Sequence, residues 1–233
     1  MAIHKNSTIK PSVEEQRKRA LKIIDLLQKN TLGMQQPMVF SISEKFGHDP
    51  FLILISCLLS LRAKDTTTLP ICLELFTIAR TPQQLLKISK MKLEKLIYPV
   101  GFYQKKAAVL HDVADQIITR FDGKVPSTRE ELLSLPGVGR KTANLVLGEG
   151  FGIPAICVDT HVHRISNRLG LIATQKPEET EKELEKVLPK QFWIEWNRLL
   201  VMWGQNICVP ISPFCSRCAL FDVCDRVGVI KSR

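Results

Sequence analysis

Apolar residues recur at helical spacing along almost the whole chain, and this periodicity limits the fold more than any other feature. One face of a first helix would contain Ala20, Leu21, Ile24 and Leu27. Similar stripes occur near 83–97, 104–120, 178–188 and 192–203. No segments combine period-2 alternation with hairpin signals, which the strands of a sheet would need. The sequence therefore predicts an all-α fold of about ten helices with short connections.

The longest apolar run covers residues 51–61 and is interrupted by Ser56 and Ser60. It is well below the ~20 residues that cross a bilayer. By pattern alone it could be a buried strand, but the absence of partner strands favours a buried central helix. Lys5 and Lys10 are followed by no apolar stretch, so we expect no secretory leader and a protein that stays inside the cell.

The chain is basic, with 33 Lys and Arg residues against 23 acids and a net charge of +10. A surface of this kind attracts polyanions, which makes nucleic acid the leading partner. Charge alone leaves open a basic surface that serves only solubility.

The cysteines fall into two groups. Three stand singly in apolar surroundings, where we expect small core residues: Cys57, Cys72 and Cys157. The other four lie close together near the C-terminus: Cys208, Cys215, Cys218 and Cys224. Four thiolates suit zinc or a four-iron cluster, and the single short C-x2-C pair favours the cluster. Disulfides are a third option, which an intracellular location disfavours.

The segment from Leu135 to Ala143 reads LPGVGRKTA and follows the capping pattern Ser127-Thr128-Arg129-Glu130, which predicts a tight hairpin between two helices. Gly137 and Gly139 allow close backbone approach, and the second helix opens with free amides that suit a phosphate. The alternative is that these glycines only form a turn.

Lys141 would lie in the first turn of the second helix, where the helix dipole predicts a lowered pKa. A neutral lysine could attack a sugar C1′ and form a Schiff base. An ordinary lysine contact with phosphate is the alternative.

Asp159 follows a segment that interrupts helices, Gly152 to Pro154, and precedes a predicted helix. Its carboxylate could stabilise a cationic sugar and assist proton transfer, or it could simply cap the helix. A third interpretation is a metal site with His161 and His163, which their spacing does not favour because the side chains do not share a helix face.

Together, these motifs resemble the endonuclease III family of helix-hairpin-helix DNA glycosylases. The LPGVGRKTA motif, Asp159 eighteen positions after Lys141, and the C-x6-C-x2-C-x5-C pattern all occur in the family's order and spacing. The resemblance extends from about residue 14 to Cys224. It implies a DNA glycosylase and AP lyase that removes oxidised pyrimidines after base flipping and cleaves 3′ to the abasic site by β-elimination.

The resemblance also implies roles and boundaries. Lys141 would be the Schiff-base nucleophile, Asp159 the essential carboxylate, and the four C-terminal cysteines the ligands of one four-iron four-sulfur cluster. A six-helix barrel lobe would span 43–153, with the hairpin at about 127–150. The cluster-bearing lobe would combine 1–42 with 154–233.

Two positions depart from the common family pattern. Arg62 stands where many relatives have a glutamine that fills the space left by the flipped base, and Phe102 stands at the wedge position. The residues expected to contact DNA are Arg62, Phe102, Gly137, Gly139, Arg140 and His161.

Two alternative functions stay open at this point: a monofunctional mismatch or adenine glycosylase, and a non-catalytic iron–sulfur DNA-binding module. Lys141 argues against the first, which would lack a nucleophilic lysine, and the presence of both Lys141 and Asp159 argues against the second. We expect a monomer that acts on double-stranded DNA containing damaged pyrimidines or abasic sites, in a prokaryotic cytoplasm and without a membrane partner.

Overall fold

The computed structural model describes residues 12–233, and this part of the chain is helical, without a β-strand. The all-α prediction is confirmed. The α-helices are α1 (Val13–Asn30), α2 (Met38–Phe46), α3 (Pro50–Ser60), α4 (Asp65–Ile78), α5 (Pro82–Leu86), α6 (Lys90–Ile97), α7 (Tyr103–Phe121), α8 (Arg129–Leu133), α9 (Arg140–Leu145), α10 (Thr160–Arg168), α11 (Pro177–Val187) and α12 (Trp193–Asn206). Among the helices of residues 12–233, none has the length and hydrophobicity that a membrane span requires.

The chain divides into two compact units. One runs from Met34 to Asp159, and the other combines residues 12–33 with Thr160–Arg233. The sequence prediction placed the limits of the first unit at 43 and 153. The segment after 153 groups with the first unit because Ala155 packs into the same hydrophobic core as α3.

Helix α3 is the centre of the unit Met34–Asp159. Asp49 caps its first turn by accepting bonds from the N–H groups of Phe51 and Leu52, and Pro50 occupies the first helical position. Every residue from Phe51 to Leu59 is buried, which confirms the predicted central helix. Ser56 satisfies its buried hydroxyl by donating to the Leu52 carbonyl at 2.7 Å.

A π-helical turn, Val146–Gly150, extends α9 and packs against α3. Its last residue touches the start of α3 so closely that a Cβ on Gly150 would lie 2.9 Å from the Cα of Pro50. Backbone atoms at that distance cannot move aside cheaply. Gly150 is therefore required by packing, independently of any role in chemistry.

We expect Gly150→Ala to destabilise the protein by about 1–3 kcal/mol, the usual cost of overpacking. The measurement is the melting temperature followed by circular dichroism. Gly101→Ala is the matched control, because a Cβ there meets no atom within 4 Å. Equal melting temperatures for the two variants would contradict the assignment of a tight contact.

In the second unit, α1 packs against α11 and α12, and α10 packs against both of those helices. The buried face of α1 consists of Ala20, Ile23, Ile24 and Leu27. Leu21, which the sequence pattern placed on this face, is instead 41% exposed. The error arises because positions 20, 23, 24 and 27 follow the i, i+3, i+4, i+7 pattern, whereas 21 lies to one side of it.

The last residues of the chain fold back onto the cysteine-rich segment. The N–H of Arg233 donates to the Pro213 carbonyl at 2.8 Å, and its carbonyl accepts from the Ser216 N–H at 3.0 Å. The Phe214 ring has the guanidinium groups of Arg217 and Arg233 each 4.0 Å from its centroid. These contacts fix the segment after Cys224 to the loop that begins after Cys208.

Candidate active site

The predicted hairpin is present between α8 and α9. Thr128, rather than Ser127, caps α8, with its hydroxyl accepting from the Glu131 N–H at 3.3 Å. Gly137 has a φ of +73°, and a Cβ there would lie 3.2 Å from the Val109 side chain, so conformation and space both favour glycine. Gly139 begins α9 without a side-chain cap, which leaves backbone N–H groups at the start of this helix.

Two hydrogen bonds hold the segment before Asp159 against α9. Asn144 donates to the Ile156 carbonyl at 2.8 Å, and the Cys157 thiol donates to the Lys141 carbonyl at 3.6 Å. Residues 155–158 are all buried in this position. The geometry therefore brings Asp159 into electrostatic contact with Lys141, although eighteen positions separate them in the sequence.

The pKa of Lys141 is raised above its ordinary value. Loss of hydration lowers the pKa of Lys141, although part of its side chain is accessible to solvent. The neighbouring thiols and carboxylates raise this pKa by more than the loss of hydration lowers it. The Cys57 thiol is uncharged at neutral pH because burial raises its pKa to about 12, and the Cys157 thiol donates a hydrogen bond to the Lys141 carbonyl. The carboxylates of Asp159 and Asp65 therefore hold the ammonium form in place.

This result corrects the sequence prediction, in which the helix dipole lowers the pKa of Lys141. A dipole effect of 0.3–1 kcal/mol is typical at a helix end. The effect of a nearby carboxylate on the pKa is larger than that of the helix dipole, and the sequence did not show that a carboxylate lies near Lys141. In the free protein Lys141 is consequently an ammonium group, which must lose a proton before it can act as a nucleophile.

The predicted DNA-contact residues of the first unit lie at its surface. Arg62 and Phe102 are both exposed and both have left-handed backbone conformations, with φ of 55° and 61°. Side chains other than glycine seldom adopt this conformation, so the surrounding structure must stabilise it. Arg140, Gly137 and Gly139 are also exposed, at the hairpin. Contact of these residues with DNA stays a prediction.

His161 and His163 lie in the second unit. The Nδ1 of His161 is 3.1 Å from a guanidinium nitrogen of Arg164, and the Nδ1 of His163 is 2.7 Å from the Thr180 hydroxyl. Both ring nitrogens thus face partners of their own, and no group of three metal-binding side chains that includes these histidines occurs within residues 12–233, so the metal interpretation of Asp159, His161 and His163 has no support in the structure. A DNA contact by His161 stays a prediction.

All seven cysteines carry free thiols. Cys57, Cys72 and Cys157 are buried core residues, as predicted. The other four line one cavity with about 290 Å³ of free space, including its open mouth: Cys208, Cys215, Cys218 and Cys224. Apolar side chains such as Ile207 and Val229 complete the lining. Although the four thiols share this cavity, their sulfurs do not surround a single ion position.

Several N–H donors approach these thiols. Arg168 donates to the Cys208 sulfur at 3.4 Å and to the Val209 carbonyl at 2.8 Å. Burial raises the pKa of the Cys218 thiol, against the effects of the Leu220 N–H and the Trp203 indole. The Trp203 nitrogen is itself buried without a partner at hydrogen-bonding geometry. A cavity of thiols with N–H donors at its wall suits a sulfur-rich group.

Comparison with known proteins identifies the family. Residues 55–190 match the model of the HhH-GPD superfamily of base excision DNA repair proteins. Endonuclease III of Thermotoga maritima is 48% identical over 177 residues, which cover 76% of this chain and 83% of that protein. This chain belongs to the endonuclease III family.

Other relatives extend the comparison. Endonuclease III homolog 2 of Arabidopsis thaliana, a chloroplastic protein, is 44% identical over 75% of this chain, and the chain spans only 47% of the length of that relative. A solved structure titled as a trapped endonuclease III–DNA covalent intermediate superposes with a TM-score of 0.79 at 33% identity, covering 90% of this chain and 96% of that one. The fold expected for the endonuclease III family is thus present.

The sequence analysis did not identify two charged residues near the candidate site, Asp65 and Lys106. Asp65 contributes to the electrostatic environment of Lys141 and also accepts a hydrogen bond from the Met38 N–H at 3.2 Å. Lys106 binds two carbonyl groups next to Arg62. Neither position shows a pattern that distinguishes it from an ordinary surface charge, so the sequence offered no signal for either.

Proposed function

We propose that this protein is a bifunctional DNA glycosylase and AP lyase of base excision repair, which removes oxidised pyrimidines from double-stranded DNA. The observation that carries the proposal is that the Asp159 carboxylate lies near enough to Lys141 to raise the pKa of its ammonium group, in a chain whose family is defined by base excision repair. A relative of the same fold has been trapped as a covalent intermediate with DNA. Covalent trapping requires a nucleophile, and Lys141 supplies one.

The chemistry follows from these two side chains. Once the damaged nucleotide is flipped out of the duplex, the Lys141 amine attacks the sugar C1′ while the bond from C1′ to the base breaks. The base leaves with the bonding electrons. The attached nitrogen then loses a proton, and its electron pair displaces the ring oxygen O4′ from C1′, which opens the sugar and leaves a C1′=N Schiff base. Loss of a C2′ proton then expels the 3′ phosphate by β-elimination and cuts the strand.

Asp159 has two tasks in this scheme. Its carboxylate stabilises the positive charge that develops on the sugar as the base departs. It also accepts the proton that the Lys141 ammonium must lose, because it is a carboxylate in electrostatic contact with that group. The same charge that keeps Lys141 protonated in the free protein therefore assists its activation.

DNA binding is assigned to the exposed residues of the hairpin and loops. The backbone amides at Gly137 and Gly139, with Arg140, would hold a phosphate without reading sequence. Phe102 would insert into the base stack, and Arg62 would occupy the space left by the flipped base. A DNA contact of His161 is assigned by family resemblance.

The four C-terminal cysteines would hold a four-iron four-sulfur cluster. The thiol donor set, the shared cavity and the N–H groups of Arg168 and Trp203 fit such a group. When bound, the cluster ties four points of the C-terminal segment together and contributes to folding. Its assigned role is structural.

The proposed location is a cellular compartment that contains DNA. The relatives named above come from a bacterium and from a plant chloroplast. A prokaryotic cytoplasm stays a prediction.

The direct test is incubation with a duplex that carries one thymine glycol. We expect release of the damaged base and a strand break whose 3′ end carries the unsaturated sugar of β-elimination. Base release without strand cleavage would move the protein to the monofunctional glycosylases. DNA binding without base release would leave a non-catalytic module.

We expect Asp159→Asn to slow base excision by about 10²–10⁴-fold, the usual range for general acid–base catalysis. The change also removes a charge that raises the pKa of Lys141, so the amine becomes available at lower pH. Borohydride trapping on a preformed abasic site should therefore reach its maximum at a more acidic pH than in the wild type. The measurement is the initial trapping rate across a pH series.

Asp115→Asn, an exposed carboxylate on α7, is the control for this prediction. It should leave both the excision rate and the pH profile unchanged. A pH profile of Asp159→Asn that coincides with the wild type would show that this carboxylate does not govern Lys141.

A further inference from the structure

Lys106 joins two segments that are far apart in the sequence. Its ammonium group donates to the carbonyls of Leu59 and Leu61, at 2.6 and 2.8 Å. Both carbonyls belong to the C-terminal end of α3, where the helix leaves such groups without helical partners. A cation at this position also interacts favourably with the helix dipole.

The loop that starts at Leu61 carries Arg62. The left-handed conformation of Arg62, with a φ of 55°, directly follows the carbonyl that Lys106 binds. A hydrogen bond from the Ala63 N–H to the Ser60 carbonyl at 3.0 Å closes the turn on the other side. The direction in which Arg62 leaves the surface is therefore set by a turn to which Lys106 is attached.

The backbone of Lys106 holds the second loop. Its N–H donates to the Phe102 carbonyl at 2.9 Å, as part of the first turn of α7. Phe102 has the other left-handed conformation of this surface, with a φ of 61°, and its side chain is 61% exposed. Lys106 thus fixes Phe102 through its main chain and the loop of Arg62 through its side chain.

The two hydrogen bonds of the Lys106 ammonium group offset the loss of hydration that its partial burial causes. Burial lowers the pKa of Lys106, against an opposing effect of the Cys72 thiol. A partly buried ammonium needs hydrogen-bond acceptors to offset the loss of water. The adjacent Lys105 is exposed and contacts neither carbonyl.

We propose that Lys106 is a positioning residue that couples the Arg62 and Phe102 loops, so that both side chains enter the DNA as one preformed unit. This inference rests on the proposed function, in which those two loops face the duplex. Preformed geometry avoids the ordering cost that two independent loops would incur on binding. Lys106 would act on the flipping of the base and not on the bond-breaking steps.

The test compares Lys106→Met, which keeps the apolar stem and removes the donors, with Lys105→Met as matched control. Single-turnover excision of thymine glycol from a duplex reports the complete reaction. A fluorescent 2-aminopurine next to the lesion reports unstacking separately from chemistry. Cleavage of a preformed abasic site, which has no base to extrude, reports the lyase step.

We expect Lys106→Met to slow thymine glycol excision by about 10–100-fold, as a misplacement of about 1 Å can do. The 2-aminopurine signal should fall in parallel, and cleavage of the abasic site should change much less. Lys105→Met should resemble the wild type in all three assays. Lys106→Arg keeps a cation with several donors and should restore part of the excision rate.

A double-mutant cycle adds a readout that a general loss of stability would not produce. When Arg62 and Phe102 are both replaced by alanine, the further change Lys106→Met should cost much less than it does alone, because it has nothing left to position. If the effects are simply additive, the inference is wrong. Additivity can be read even if Lys106→Met melts at a lower temperature, provided that the assays run below that temperature.

The outcomes separate the inference from the proposed function. If the wild type releases no damaged base, the proposed function fails and the inference fails with it. If the wild type is active and Lys106→Met equals Lys105→Met, only the inference fails. Equal losses on thymine glycol and on the preformed abasic site, with unchanged 2-aminopurine fluorescence, would also overturn it.

Discussion

Replacing Lys141 by glutamine should abolish the covalent adduct that borohydride traps between the protein and DNA. Glutamine has no amine that can attack the sugar C1′, so no Schiff base can form. We expect strand cleavage to fall by at least about a thousandfold, as is usual when a nucleophile is removed. The measurement is denaturing electrophoresis of a thymine glycol duplex after reduction with borohydride.

Lys141→Arg is the decisive companion variant. It keeps the positive charge beside Asp159 and any contact with a phosphate, but its guanidinium group does not lose a proton under these conditions. If Lys141 only contacts phosphate, arginine should preserve activity. If Lys141 is the nucleophile, arginine should be as inactive as glutamine while DNA affinity changes by only a few fold.

The second large effect is expected at the cysteine cavity. Cys218→Ala removes one of the four thiols that line it, next to the indole of Trp203. We expect the purified variant to lose more than about nine tenths of its bound iron and the visible absorbance of an iron–sulfur cluster, because such clusters depend on a full set of ligands. The melting transition of the unit that contains α10–α12 should move to much lower temperature.

Cys72→Ala is the matched control for this variant. Cys72 is fully buried in the other unit, and its loss should cost about 1 kcal/mol from packing, with iron content unchanged. Full iron content in Cys218→Ala would contradict the assignment of Cys218 as a cluster ligand. Loss of iron in both variants would point to a general folding defect instead.

Local patterns predicted the helices well where burial is one-sided or complete. The run at 51–61 was predicted as a buried helix, and α3 occupies Pro50–Ser60. The stripe near 83–97 proved to be two helices, α5 and α6, because the chain turns at 87–89 and Ser89 caps the second. Such a break interrupts the hydrogen bonds but leaves the apolar spacing nearly intact, so periodicity does not reveal it.

The sequence predicts which residues form the candidate site, and their roles stay predictions, whereas the direction of the pKa shift of Lys141 was predicted wrongly. Lys141 and Asp159 follow from motif spacing, since the hairpin fixes one and the break before α10 fixes the other. The raised pKa of Lys141 depends on Asp65 as well, which approaches only through the packing of α4 in its unit. Lys106 was missed for the same reason, because its two acceptors lie more than forty positions away.

The backbone pairing of Arg233 with the loop after Cys208 has a practical consequence for protein production. An affinity tag attached directly after Arg233 would strain the two backbone hydrogen bonds of this residue and the contact of its guanidinium group with the Phe214 ring. That loop carries residues of the cysteine cavity, so the yield of iron-loaded material should depend on which end carries the tag.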